Sequence, residues 1–177
     1  MHTTKRFGYS REDGYTAVNL PYSQNFAMLA LVPDEIDGLP ALEKTLSAGK
    51  LTALSRLPAR KVALHLPKFR IEGDTIALTN PLKRLGMNLA FTRGADFSLM
   101  TSDPRGLSID DIYHKTFIAV DEKGTEAAAA TAVAMTFRSL PRPEKPVEVR
   151  LDRPFLYAIM DTRTQTALFL GRIVDPR

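Results

Sequence analysis

The chain has 177 residues, 44% hydrophobic and 25% charged, with 10 Gly, 12 Pro and no Cys. That composition excludes disordered, collagen-like and low-complexity classes, and the absence of thiols excludes disulfides, thiol catalysis and thiolate zinc sites. The net charge of +4 is too small to announce a polyanion partner by itself, and no apolar run approaches the roughly 18 residues of a spanning helix, so neither nucleic acid nor membrane is expected as a partner.

At about 150 residues per domain the length fits one domain. Its first residues, Met1-His2-Thr3-Thr4-Lys5-Arg6-Phe7, carry neither the apolar core of a secretory signal nor the Ser- and Arg-rich character of a transit peptide. Thr16–Leu20 and Phe26–Val32 are short apolar stretches around Pro21-Tyr22-Ser23-Gln24-Asn25, which predicts a hairpin. Leu39, Leu42 and Leu46, then Leu51, Leu54 and Leu57 after Gly49, repeat at three- and four-residue spacing and predict two short helices. Lys61–Leu66 alternates as a strand, and Phe69–Glu72 continues extended after Pro67. Asn80-Pro81 opens a further short helix that Gly86 closes. Ile109–Val120 and Val147–Leu151 are predicted strands, and Phe155–Met160 and Ala167–Val174 are near-continuous apolar runs suited to strands covered on both faces. Strands at both ends and three helices between them make the fold α+β with β dominant.

The stretch from Asp121 to Pro146 resists this scheme. Gly124–Met135 is rich in Ala, and Thr125 could cap a helix there. Yet a helix of about 12 residues with no amphipathic stripe is marginal in water, and a long structureless segment in a small domain is usually functional. Both readings stay open on composition alone.

Charge is unevenly placed. Between Glu43 and Glu72 lie Lys44, Lys50, Arg56, Arg60, Lys61, Lys68 and Arg70 with no acidic residue among them. The group built from Lys50, Arg56, Arg60 and Lys61 is a candidate site for a heparin-like polyanion, against the plainer reading of a solvated face. His2, His65 and His114 lack metal-ligand spacing, so no metal and no cofactor is expected. A Ser-His-Asp hydrolase drawn from Ser98, His65 or His114, and Asp96 would lack the G-x-S-x-G elbow, and no enzyme activity is expected.

The run His114–Val133, HKTFIAVDEKGTEAAAATAV, resembles the strand and proximal hinge of a serpin. Supporting it in the family's order are Asp96-Phe97-Ser98 with Met100, Leu82–Met87, Arg153-Pro154-Phe155-Leu156 and the terminal Leu168–Pro176. Asp13-Gly14, Leu20-Pro21-Tyr22 and Gly38-Leu39 with Leu42-Glu43 extend the likeness over essentially the whole chain, residues 1–177, but over only the carboxy-terminal half of a serpin. The resemblance implies an exposed reactive-centre loop at about 121–146 and suicide inhibition of a serine protease. The loop is cut, then inserts as a new strand before the acyl-enzyme hydrolyses. It implies an extracellular protein, and a hinge formed by Glu122, Gly124, Thr125, Glu126, Ala127, Ala128, Ala129, Ala130 and Thr131. With period two from Thr125, the inward set on insertion is Thr125, Ala127, Ala129, Thr131 and Val133, all small or β-branched and uncharged, while Glu126 falls on the other face.

The family's spacing, carried from Glu122, places the scissile bond at Arg138-Ser139, which suits a trypsin-like target. A slipped register would present Phe137 or Met135 to chymotrypsin-like enzymes; Arg142 is restricted by Pro141 and Pro143. His114 is similar to the family's shutter histidine, or is a satisfied buried imidazole. The resemblance to half a fold gives the further expectation that this chain bears the bait but cannot trap a protease alone. A non-inhibitory serpin-fold substrate and a polyanion-binding protein are the other readings.

Overall fold

The computed structural model describes residues 1–22, 25–101, 106–121 and 144–176. The chain forms two units, Met1–Phe69 with Val120–Arg177, and Arg70–Ala119. Among the described residues no helix is long and apolar enough to cross a membrane.

The first unit is built on a seven-stranded sheet of β1 (His2–Glu12), β2 (Tyr15–Pro21), β3 (Phe26–Pro33), β4 (Ala59–His65), β9 (Val147–Arg150), β10 (Phe155–Asp161) and β11 (Thr166–Ile173). Their order across the sheet is β11-β10-β3-β2-β1-β4-β9. All neighbours are antiparallel except β4 and β9, which run parallel with Val62 opposite Val147 and His65 opposite Arg150. The predicted hairpin is β2–β3, with Ala17 opposite Leu31. A second hairpin, β1–β2, turns at Asp13-Gly14, where Gly14 takes φ +81°, a backbone conformation that glycine adopts without strain. Polar residues along β1 hide it from a search for apolar alternation, although its Thr and Tyr content and the Asp-Gly turn are strand and hairpin signals.

The two leucine-spaced segments form α1 (Leu39–Lys44) and α2 (Ala48–Leu54). Gly49 lies inside α2 rather than before it, because the Ser47 hydroxyl accepts the Lys50 N–H and sets the start there. Leu39, Leu42, Leu51 and Leu54 pack on Tyr15, Ala17, Leu29, Leu31, Leu156, Ala158 and Met160 of the sheet. That face is the helix-covered half of the core. Alternate residues fill the opposite face, where Val18, Met28, Ala30, Val62, Leu64 and Phe155 are fully buried.

β11 corrects one expectation. Leu168, Phe169 and Leu170 are 50%, 43% and 56% exposed, so the strand is not covered on both faces. It stands at the sheet's edge with β10 as its neighbour, and an edge strand has a sheet partner on one side only.

The second unit holds most of β5 (Phe69–Glu72) and β8 (Phe117–Val120), which pair with each other, and β6 (Ile76–Ala77) with β7 (Tyr113–His114), which pair antiparallel. Helix α3 (Thr79–Arg84) buries no residue, and Gly86 at φ +100° follows its end. The single strand expected over Ile109–Val120 is divided into β7 and β8. Asp111 accepts the Ile112 N–H at 2.8 Å and the Thr79 hydroxyl, side-chain bonding that competes with a continuous ladder.

Candidate functional site: the strands that bracket residues 122–143

The hinge residues Glu122, Gly124, Thr125, Glu126, Ala127, Ala128, Ala129, Ala130 and Thr131 and the pair Arg138 and Ser139 lie outside the described residues. The strands on either side of them are described, each in its own setting.

On the amino-terminal side stands β8. Its described strand partner is β5. Gly73 follows β5, and its N–H donates to the Thr116 carbonyl at 2.9 Å. A Cβ at residue 73 would come within 2.8 Å of Thr116 Oγ1, so the two segments approach closely only because glycine is there. Lys115 Nζ meets Glu72 Oε1 at 2.6 Å, and the Arg70 guanidinium lies 4.8 Å from the centre of the Phe117 ring. Phe117 nevertheless remains 49% exposed.

His114 lies on β7 opposite Ile76 and is exposed, which corrects the buried-imidazole reading. Beside it, hydrogen bonds from Thr79 and from the Ile112 backbone hold the Asp111 carboxyl below the usual carboxylate range. The hydrogen bond and charge of Asp111 raise the Tyr113 phenol in turn.

On the carboxy-terminal side the chain becomes describable at Glu144 and enters β9 at Val147. Arg6, midway along β1, donates Nη1 to Glu144 Oε2 at 2.9 Å and Nη2 to the Ala59 carbonyl at 2.8 Å. One guanidinium thus ties the approach to β9 to the first residue of β4. Further along, Glu148 accepts from Arg150 at 3.1 Å and lies 3.6 Å from His65 Nε2, and the His65 and His2 rings stack with centroids 4.1 Å apart. The Leu151 N–H closes the β4–β9 ladder on the His65 carbonyl at 2.8 Å. Arg6 and Glu144 escaped the sequence reading because no local pattern joins residues this far apart.

The four basic residues singled out for a polyanion stand in different local settings. Lys50 sits with its ammonium 4.6 Å from the centre of the Tyr15 ring and donates to Thr45 Oγ1 at 2.8 Å. It lines a hollow of about 430 Å³ whose other residues include Asp13, Asp34 and Glu35, and these carboxylates oppose a second anion. Arg60 and Lys61 are successive residues of β4 and point to opposite faces, Lys61 directly across from Arg6. Arg56 is exposed just beyond the Ser55 cap of α2. Among the described residues no group of His, Asp and Glu is arranged to hold a metal ion.

Among the described residues, the strand before the undescribed segment, β8, pairs with β5 alone, and the strand after it, β9, pairs with β4 and is tethered through Glu144 to Arg6. The model for Serpin (serine protease inhibitor) matches residues 1–176. A serpin-like protein of Thermococcus kodakarensis is 40% identical over 179 residues, covering 100% of this chain and 41% of that protein. The crystal structure of tengpin, a thermophilic serpin in its native state, superposes with a TM-score of 0.71 at 35% identity, covering 99% of this chain and 45% of that one. Human thyroxine-binding globulin complexed with its ligand gives 0.75 at 30% identity, covering 99% and 45%. The chain therefore spans less than half the length of the relatives it matches. Its sheet-dominated α+β fold is the carboxy-terminal half of theirs, and this chain belongs to the serpin family.

Proposed function

We propose that the chain carries the bait of a serpin-type inhibitor of serine proteases, directed at a trypsin-like target, with the loop at about 121–146 and the reactive bond at Arg138-Ser139. The observation that carries this reading is the hinge sequence Gly124-Thr125-Glu126-Ala127-Ala128-Ala129-Ala130-Thr131, which begins four residues after the last residue of β8. The target's serine attacks the Arg138 carbonyl, an ester forms, and the Ser139 amine leaves. The freed hinge then pairs beside β8, with Thr125, Ala127, Ala129 and Thr131 on one face and Glu126 on the other. A charged residue in the inward set would be buried without a partner, which costs several kcal/mol and gives hydrolysis time to win.

A strand inserted between two others needs both. The described partner of β8 is β5, so trapping requires a further strand that the rest of the relatives' length would supply. In this reading the 177-residue chain alone is a substrate: trypsin cuts it and turns over. His114 keeps its proposed part as the shutter residue. An extracellular location belongs to the proposal on the resemblance alone.

Incubating the chain with trypsin and weighing the products tests the assignment. Cleavage after Arg138 supports it, and a loop left intact, or cut only elsewhere, overturns it. An SDS-stable complex formed by the isolated chain would refute the requirement for another strand.

A further inference from the structure

Among the described residues, every buried apolar side chain belongs to the first unit, and no residue of the second is buried. Leu85, Leu89 and Met100 of the second unit are instead 83%, 66% and 76% exposed. What holds that unit together is short-range and open to water. Its ladders, β5–β8 and β6–β7, have two strands each, and a two-stranded pairing is marginal in water. Helix α3 has six residues, too few to persist without packing. The Lys115–Glu72 pair is more than half exposed on both sides, where an ion pair contributes little. Ordering a residue costs conformational entropy that burial must offset, and the second unit has no core to supply it.

The boundary between the units coincides with the end of that packing. The chain leaves the first unit after Phe69 and returns to it at Val120. The Phe69 ring lies 6.1 Å from the rings of both Phe155 and Tyr157, and the Val120 side chain is buried. Strands β5 and β8 therefore each have one end residue in the packed unit and the remainder outside it. The segment 122–143 is placed differently. Val120 stands two residues before it, and Glu144, the residue after it, is bonded to Arg6 of β1. Both belong to the first unit.

We propose that the second unit opens and closes as a separate cooperative unit while the first stays folded, with its limits at Phe69 and Val120. Cleavage within 122–143 then depends on the first unit alone, which fixes both ends of that segment. Pairing beside β8 depends on the second unit, which supplies Phe117, Ile118 and Ala119 of that strand. This division between presenting the bait and accepting it rests on the loop reading given above; the separate opening does not.

Hydrogen exchange of the 177-residue chain in dilute solution, followed by mass spectrometry of its peptides, tests it. Amides of residues 70–77 and 112–119 should be protected at least about 100-fold less than those of β2, β3 and β10, with the change falling at Phe69 and Val120. A Cβ at residue 73 comes within 2.8 Å of Thr116 Oγ1, so Gly73→Val should lower the protection of the second unit further. The protection of the first unit, the main melting transition and the rate of trypsin cutting within 122–143 should all stay as they are in the parent chain.

Equal protection of the two units, or a Gly73→Val chain whose first unit loses protection in step with the second, would overturn the separate opening. Faster cutting within 122–143 in Gly73→Val, with the two protections still apart, would overturn the division of tasks alone. No cut within 122–143 in either chain would remove the loop reading and the division built on it, while the exchange pattern would still decide whether the second unit opens by itself.

Discussion

Tyr157 lies across Gly171 in the β10–β11 ladder, so close that a Cβ at residue 171 would sit 2.5 Å from the Tyr157 Oη and 2.6 Å from Cζ. The ring is buried, and burial raises the phenol from its ordinary value. Gly171 is thus demanded by a neighbour's volume, since its own φ is unexceptional. Gly171→Ala should destabilise the chain by about 1–3 kcal/mol through overpacking, read as a lower urea midpoint. Adding Tyr157→Leu, which removes the ring's outer atoms, should recover part of the loss. An unchanged midpoint for the single variant would refute the packing account.

Acid sensitivity should be visible at Asp161, in the turn between β10 and β11. The backbone N–H groups of Thr164 and Arg163 reach its carboxylate at 3.1 and 2.8 Å and hold its carboxyl below the usual range. Because the folded value lies below the unfolded one, the contribution is complete above the ordinary carboxylate range and is lost as pH falls through the folded value. A carboxyl NMR titration should place Asp161 below the ordinary aspartate range. Asp161→Asn should flatten the fall of Tm between about pH 5 and pH 2.

Arg138→Ala should remove the first trypsin cut and leave the melting curve unchanged, with intact mass as the readout. Thr125→Arg should leave that cut in place. In a preparation supplied with the missing strand it should lower the yield of covalent complex and raise turnover, because the inward set would then carry a charge.

The exposed trio Leu168, Phe169 and Leu170 on an edge strand favours self-association. Light scattering should give a mass above the 19.6 kDa of one chain. Leu168→Lys with Leu170→Lys should lower it, since charged edges resist pairing. A monodisperse monomer for the parent chain would count against this.

Short-range signals carried much of the fold into the sequence. Leu39, Leu42, Leu51 and Leu54 announced helices because they line one face of a short helical stretch, and Phe26–Val32 announced a strand of a hairpin because its apolar run is largely buried in the sheet. Strand β1 was hidden by polar side chains facing solvent. The apolar run at β11 misled because hydrophobicity alone does not distinguish a covered strand from an exposed edge. Of the site, the hinge was legible as a family motif, whereas the Arg6–Glu144 contact arises only when β1 and the approach to β9 meet in three dimensions.

The placement of β9 at one margin of the seven-stranded sheet and of β10 and β11 toward the other has a consequence for any nicked form. A cut anywhere in 122–143 leaves these three strands on a single smaller polypeptide that grips the larger one from both flanks. The two pieces should migrate together on a native gel and part only in denaturant, so that scission registers as a change of covalent structure without loss of the assembled body.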